Sequence, residues 1–204
     1  MKSKLSNLII ALLVMVACVA CCNTPSGENY KTKDGMIVFD EPARAAGQES
    51  MLGFAADPIP VVRVGFVGLG MRGPGAVNRF THLEGVEIKG LCDLKQENVS
   101  KCQPMLERAG MPKAAEYVGE EAYKELCERD DVDLIYIATD WLNHTPIALY
   151  AMEHGKHVAI EVPAATSVEE CWQLVDTSER TRRHCMMLEN CVYDFFELTC
   201  LNMA

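Results

Sequence analysis

A short apolar run, Val62-Arg63-Val64-Gly65-Phe66-Val67, passes directly into Gly68-Leu69-Gly70-Met71-Arg72-Gly73, and Asp93 stands at the end of a second such run, Val86 to Cys92. No other feature constrains the fold of this chain as strongly. β-Branched and apolar residues suit a buried parallel strand. Three glycines at this spacing serve a tight turn, close backbone approach to a pyrophosphate, and packing of the next helix against the strand. The first amides of that helix and the positive end of its dipole then face the phosphates. A carboxylate at Asp93 accepts the ribose hydroxyls of an adenosine and repels a 2′-phosphate, which favours NAD over NADP, although Lys95 lies close by in sequence. The glycine pattern is weak by itself; strand, helix and acid in the right order make it a dinucleotide site rather than a structural turn.

Further strand and helix signals alternate downstream. A helix is expected from Gln96 to Ala109 and another from Glu120 to Arg129, then a strand at Leu134-Ile135-Tyr136-Ile137-Ala138 and an amphipathic helix from Thr145 to His154 with Gly155 as its C-cap. His157-Val158-Ala159-Ile160 reads as a strand, Ser167 to Arg182 as a helix opened by a Ser-x-x-Glu capping box, and Cys185-Met186-Met187-Leu188 as a last strand. Such alternation predicts an α/β fold, a Rossmann-type doubly wound parallel sheet with right-handed crossovers. Ligands of that architecture bind beyond the carboxyl ends of the strands. The candidate site residues are therefore Gly68 to Gly73, Asp93, Thr139 to His144, Glu161 to Pro163 and Glu189 to Tyr193. Trp141, in an expected exposed loop, serves either as a wall for the nicotinamide or adenine or as packing; His144 either touches ligand or donates to a carbonyl or caps, and His157 is structural.

Lys2 and Lys4 precede an apolar run from Leu8 to Val19 that ends in Ala17-Cys18-Val19-Ala20-Cys21-Cys22. This has the parts of a signal peptide and is shorter than the ~20 apolar residues of a spanning helix. Residues 1–22 are thus expected to export the chain to the cell envelope. Lipid on Cys18 or Cys21 would moor it there, membrane contact being confined to that anchor; an ordinary cleaved signal or plain tether is the alternative. Residues 23–60 read as a tether in which Met36-Ile37-Val38-Phe39 and Met51-Leu52-Gly53-Phe54 could dock, leaving 61–204 as one domain of about 145 residues. A net charge of −10 without a basic stripe argues against nucleic acid as partner. The chain has ten cysteines, three of them in the signal. No CxxC pair outside the signal and no His/Cys spacing of a zinc site appears, so buried free thiols and no metal are expected.

The run Gly68 to Gly73, Ala138-Thr139-Asp140-Trp141-Leu142-Asn143-His144, Glu161-Val162-Pro163 and Glu189-Asn190-Cys191-Val192-Tyr193 together resemble the Gfo/Idh/MocA oxidoreductases, and within them glycoside hydrolase family 109, the NAD-dependent α-N-acetylgalactosaminidases. The resemblance covers Val61 to Ala204. Most oxidoreductases of the group carry Glu-Lys-Pro at the turn, whereas this chain has Val162, as the glycosidase branch does. The resemblance implies a sugar substrate handled by transient oxidation at C3, elimination of the glycosidic oxygen, addition of water and re-reduction, outside the paired-carboxylate route. It implies cofactor contacts from Met71 and Arg72 to the phosphates, from Asp93 to the adenosine ribose, and from Trp141, Leu142, Asn143, His144, Glu161, Val162 and Asn190 to the nicotinamide half, with Tyr193 as the catalytic residue. Family members continue into an α+β domain that completes the sugar pocket and the oligomer surface. This sequence stops within an apolar helical pattern at Leu201-Asn202-Met203-Ala204 and reads as truncated before that domain, hence weak in NAD binding and inactive alone. A plain sugar dehydrogenase and a non-catalytic nucleotide-binding module are the alternatives.

Overall fold

The computed structural model describes residues 30–39 and 42–203. The expected signal, with Cys18 and Cys21, lies outside the described residues. Among them, no helix is long and apolar enough to cross a membrane. The chain divides into two units, one up to Ala43 and one from Arg44 onward.

The first unit holds a hairpin, β1 (Tyr30–Lys33) paired antiparallel with β2 (Met36–Phe39). Its turn is Asp34-Gly35, both at positive φ, the conformation that matches the twist of a two-residue hairpin.

The second unit is built on six parallel strands: β3 (Val62–Val67), β4 (Val86–Asp93), β5 (Ala115–Val118), β6 (Leu134–Ile137), β7 (His157–Glu161) and β8 (Cys185–Leu188). Their spatial order is β5-β4-β3-β6-β7-β8, so the chain reverses its direction of travel between β3 and β6. Connecting them are α1 (Gly73–Phe80), α2 (Gln96–Ser100), α3 (Gln103–Arg108), α4 (Ala122–Cys127), α5 (Trp141–Glu153) and α6 (Val168–Thr181). A 3-10 turn, Cys191–Tyr193, and α7 (Phe195–Met203) follow β8. Side chains alternate across the sheet as a pleat requires. Val67, Ile135, Ile137, Val158 and Ile160 pack on one face with Leu126 and Met152. Val64, Phe66, Ile88, Leu91 and Tyr136 pack on the other with Leu69, Val99 and Leu106.

The elements differ from expectation at identifiable residues. The single helix expected over 96–109 is two, because Pro104 lacks an N–H and starts a new helix in its first turn. The helix expected over 120–129 is shorter, Ala122–Cys127. β5 is an additional edge strand of four half-buried and exposed residues, too short and too polar to announce itself. The expected 145–154 helix begins at Trp141, because Asp140 accepts Leu142 N–H at 3.1 Å as its N-cap and Pro146 is accommodated within it. The expected capping box does form: Ser167 Oγ accepts Glu170 N–H at 3.1 Å, and Glu170 reaches back to Thr166 N–H at 2.6 Å.

The expected tether also carries structure. Besides the hairpin, residues from Arg44 onward are fastened to α6. The Arg44 guanidinium grips Glu179 through three hydrogen bonds of 2.8–3.1 Å, and Gln48 donates to Asp176 and Glu179 at 3.0 Å. Phe54 lies under the Arg182 guanidinium at 4.4 Å and beside the His184 ring at 5.1 Å. The seven cysteines among the described residues are free thiols. Burial pushes Cys92 and Cys127 up to about 12, so they behave as small apolar groups.

Candidate cofactor site

The carboxyl ends of the strands open into one cavity of about 980 Å³ at the point where strand order reverses. Its floor is the turn after β3. Gly68 takes φ +91°, and a side chain there would stand 2.5 Å from the Ala138 backbone. A Cβ on Gly73 would meet Gly68 O at 2.0 Å, so only glycine lets α1 sit this close to the strand. Gly70 is the opposite case: a Cβ there meets nothing within 4 Å, and the space beside it belongs to the cavity. Gly70, Met71 and Arg72 therefore form a rim of backbone at the start of α1, with Met71 and Arg72 exposed.

Asp93 ends β4 and lines the cavity. Its Oδ2 accepts Leu69 N–H at 2.7 Å, which ties the acid to the glycine turn, and its Oδ1 accepts Lys95 N–H and Asn98 Nδ2 at 2.9 Å.

The far wall comes from the ends of β6 and β7 and the segment after β8. Trp141 is 63% exposed and, with Asn143, lines the cavity from the first turn of α5. Asn143 Nδ2 donates to Asp140 at 2.7 Å, the main reason the Asp140 carboxyl is held below its ordinary value. Leu142 lies outside the lining and is exposed. His144 lines the cavity but is buried, with Nδ1 2.7 Å from Pro163 O and Nε2 3.2 Å from Thr139 O. The ring therefore lies between two backbone carbonyls, and in its neutral form its single N–H donates to one of them. With Thr145 Oγ1 donating to Ala164 O at 3.1 Å, His144 staples the loop after β6 to the turn after β7. Glu161 Oε1 accepts the Tyr136 hydroxyl at 2.7 Å; burial, then this carboxylate, raise the Tyr136 pKa far above the usual phenol value. Val162 and Asn190 complete this side. Tyr193 ends the 3-10 turn next to the cavity, and its side chain lies outside the described residues.

Four contributors escape a reading along the strands. Glu120 and Tyr123 reach the cavity from the segment after β5 and from α4, because that edge strand was not expected. Asn98 and Tyr136 touch Asp93 and Glu161 rather than the cavity itself. Cys191, Asp194 and Glu197 also gather their ligand atoms within 4.8 Å of one another, a cluster that no zinc-like spacing announces.

The donor set fits a dinucleotide: a glycine turn with open space at Gly70, an acid at the ribose position and a cavity wide enough for both halves. Residues 62–189 match the model of the Gfo/Idh/MocA family, described as an oxidoreductase family with an NAD-binding Rossmann fold. The chain belongs to this family. Its site is an NAD site.

Among relatives, the chain is 55% identical over 205 residues to glycosyl hydrolase family 109 protein 1 of Bacteroides thetaiotaomicron, covering 100% of this chain and 43% of that protein. It is 58% identical over 161 residues to the alpha-N-acetylgalactosaminidase of Bacteroides fragilis, covering 79% of this chain and 38% of that one. The chain thus spans less than half the length of these relatives. Of solved structures, an NAD-binding protein from Listeria innocua superposes with a TM-score of 0.58 at 26% identity, over 70% of this chain and 39% of that one. The WlbA dehydrogenase of Chromobacterium violaceum, solved with NADH and UDP-GlcNAcA, gives 0.59 at 19% identity over 69% and 38%, a likeness of fold alone.

Proposed function

We propose that this chain is the cofactor-binding part of an NAD-dependent glycosidase acting on α-N-acetylgalactosaminides. The observation that carries the reading is Val162. It lines the cavity and is 39% exposed in the Glu-Val-Pro turn, where sugar dehydrogenases of the family place a lysine. An uncharged side chain there lacks the lysine of the dehydrogenase branch, so the proton acceptor for oxidation at C3 has to come from another residue. The glycosidase names of the relatives support the same branch.

When bound, NAD supplies a reversible hydride acceptor for C3 of the sugar, so that the C2 proton becomes acidic and the glycosidic oxygen can leave. The chain itself supplies binding and orientation. The Gly68–Gly73 turn and the start of α1 seat the pyrophosphate. Asp93 takes the adenosine ribose, Trp141 and Val162 flank the nicotinamide half, and Glu161, aimed by Tyr136, and Asn190 provide polar contacts beside it. Tyr193 moves the proton at the sugar hydroxyl. Turnover requires the further length that the relatives possess, which completes the sugar pocket and provides a homo-oligomer surface. Residues 1–22 export the protein to the cell envelope, with lipid on Cys18 or Cys21.

The test joins this chain to the remaining C-terminal region of the Bacteroides thetaiotaomicron relative and supplies an aryl α-N-acetylgalactosaminide. Phenol release without accumulating NADH is the expected result. Stoichiometric NADH without phenol would replace the reading by a dehydrogenase, and neither product by a nucleotide-binding module.

A further inference from the structure

Asp93 is already committed before a cofactor arrives. Three hydrogen bonds hold its carboxylate: Leu69 N–H on Oδ2, and Lys95 N–H and Asn98 Nδ2 on Oδ1. An ionised carboxylate offers about four acceptor positions, so little more than one face is left for a ribose. The backbone donors come with the fold of the glycine turn and the start of α2. Asn98 is the one side chain among the three, and it is half-buried on α2, beside the fully buried Val99.

The amide of Asn98 has a second partner. Its Oδ1 accepts Lys101 Nζ at 2.8 Å, and the same ammonium reaches Gly70 O at 3.4 Å. A continuous path therefore runs from the ribose acid through Asn98 and Lys101 back to the glycine at the open rim. Its order matters. An ammonium directly on Asp93 would cancel the charge that excludes a 2′-phosphate, and would itself attract one. With the neutral amide between them, the cation polarises Asn98 and strengthens its Nδ2 as a donor, while the carboxylate keeps its charge towards the cavity. Lys95, the residue that clouds cofactor choice in the sequence, serves Asp93 through its backbone.

From this geometry we infer that Asn98 is a positioning residue that sets the preference for an unphosphorylated adenosine ribose, with Lys101 as its backing charge. The inference rests on NAD binding and not on the glycosidase reading. It explains why a short helix is tied to the end of β4: the helix carries the side chain that fixes the acid's orientation.

The test measures dissociation constants for NAD⁺ and NADP⁺ on this chain and its variants, and the hydrogen-exchange rate of the Leu69 amide without nucleotide. Asn98→Leu is close to isosteric and adds no charge, but removes the donor to Asp93. It is expected to weaken NAD⁺ about tenfold, the order of one hydrogen bond to a charged group, to lower the NAD⁺-to-NADP⁺ preference by a similar factor and to speed Leu69 exchange. Asn98→Ala should act in the same direction, and Lys101→Ala more weakly, by about threefold. Lys101→Arg should retain the preference. Equal losses for both nucleotides, leaving the ratio unchanged, would reduce Asn98 to a structural residue and overturn the inference. If this chain alone captures neither nucleotide measurably, the same ratio is read on its fusion to the C-terminal region of the Bacteroides thetaiotaomicron relative, where an unchanged ratio overturns the inference.

Discussion

The two edges of the same parallel sheet put similar residue types to opposite uses. At the amino edge, charged and polar groups are consumed by one another. Arg63 holds Asp133 through its own N–H at 2.9 Å and through Nε and Nη2 at 2.8 and 2.6 Å. Lys156, buried at the start of β7, donates to Arg129 O, and His157 Nδ1 accepts His184 N–H at 2.9 Å. Burial, then Arg183 and His184 nearby, lower the His157 pKa, in keeping with a ring that accepts. At the carboxyl edge, Asp93 and Glu161 are each held by neutral donors, which fix an acid without cancelling its charge. A fold stores stability at one edge by pairing charges and stores binding capacity at the other by leaving them unpaired.

Breaking the carboxyl edge should therefore cost cofactor affinity out of proportion to stability, and breaking the amino edge the reverse. The largest effect is expected at Gly73. Gly73→Ala drives a Cβ into Gly68 O and must push α1 off the turn proposed to seat the pyrophosphate. The cost should be about 3 kcal/mol or more, with NAD⁺ binding lost in a calorimetric titration. Survival of wild-type affinity would mean that the turn is not the phosphate seat. His144→Ala comes next. It removes the ring that lies between the Pro163 and Thr139 carbonyls, leaves the one that accepts its N–H without a partner, and unfastens the two loops of the proposed nicotinamide wall. A loss of about 2–3 kcal/mol in denaturant unfolding is expected for buried groups left without partners. NAD⁺ should bind more weakly while ADP-ribose, which lacks the nicotinamide, binds nearly as before; equal loss of both ligands would show that the damage is general.

The contrast between the edges also explains what the sequence discloses. Gly68, Gly70, Gly73 and Asp93 were legible because each meets a requirement local in sequence: a positive φ, an open approach, a close helix contact and a strand end. The strands β3, β4, β6, β7 and β8 were legible as apolar runs, and the residues after them as the cavity wall. His144 was legible as a position and as a ring that could donate to a carbonyl, but not which carbonyls, because Thr139 and Pro163 come together only when β6 and β7 pair. Asn98 and Tyr136 were invisible for the same reason. Each acts on a carboxylate, and nothing in a linear pattern says who holds an acid. β5 was lost because an edge strand with a polar outer face has no apolar run to show, and Glu120 and Tyr123 were lost with it.

A smaller effect is expected from Tyr136→Phe, which removes the donor to Glu161 and leaves the ring packed against Phe66 and Phe80. About 1 kcal/mol of stability and a few-fold in NAD⁺ affinity should be lost. Because the folded state raises the Tyr136 pKa, its contribution is complete below the ordinary tyrosine value near 10 and fades as pH rises beyond it. The difference between wild type and variant should accordingly stay flat through neutral pH and narrow in strong alkali.

Asp133→Asn is the control that makes the comparison sharp, since it should leave NAD⁺ affinity unchanged. Hydrogen bonding to Arg63 is the chief reason the Asp133 carboxyl lies below its ordinary value. A depressed carboxyl pKa stabilises the fold above the unfolded value, near 4, and the contribution is lost as pH falls through the folded one. The variant should therefore melt a few degrees lower at neutral pH and converge with wild type in acid. An NAD⁺ affinity that fell together with the melting temperature would show that the two edges are coupled through the sheet. The separation of stability from binding would then fail, because an ion pair beneath β6 would be setting the position of Thr139 and, through His144, of the whole nicotinamide wall.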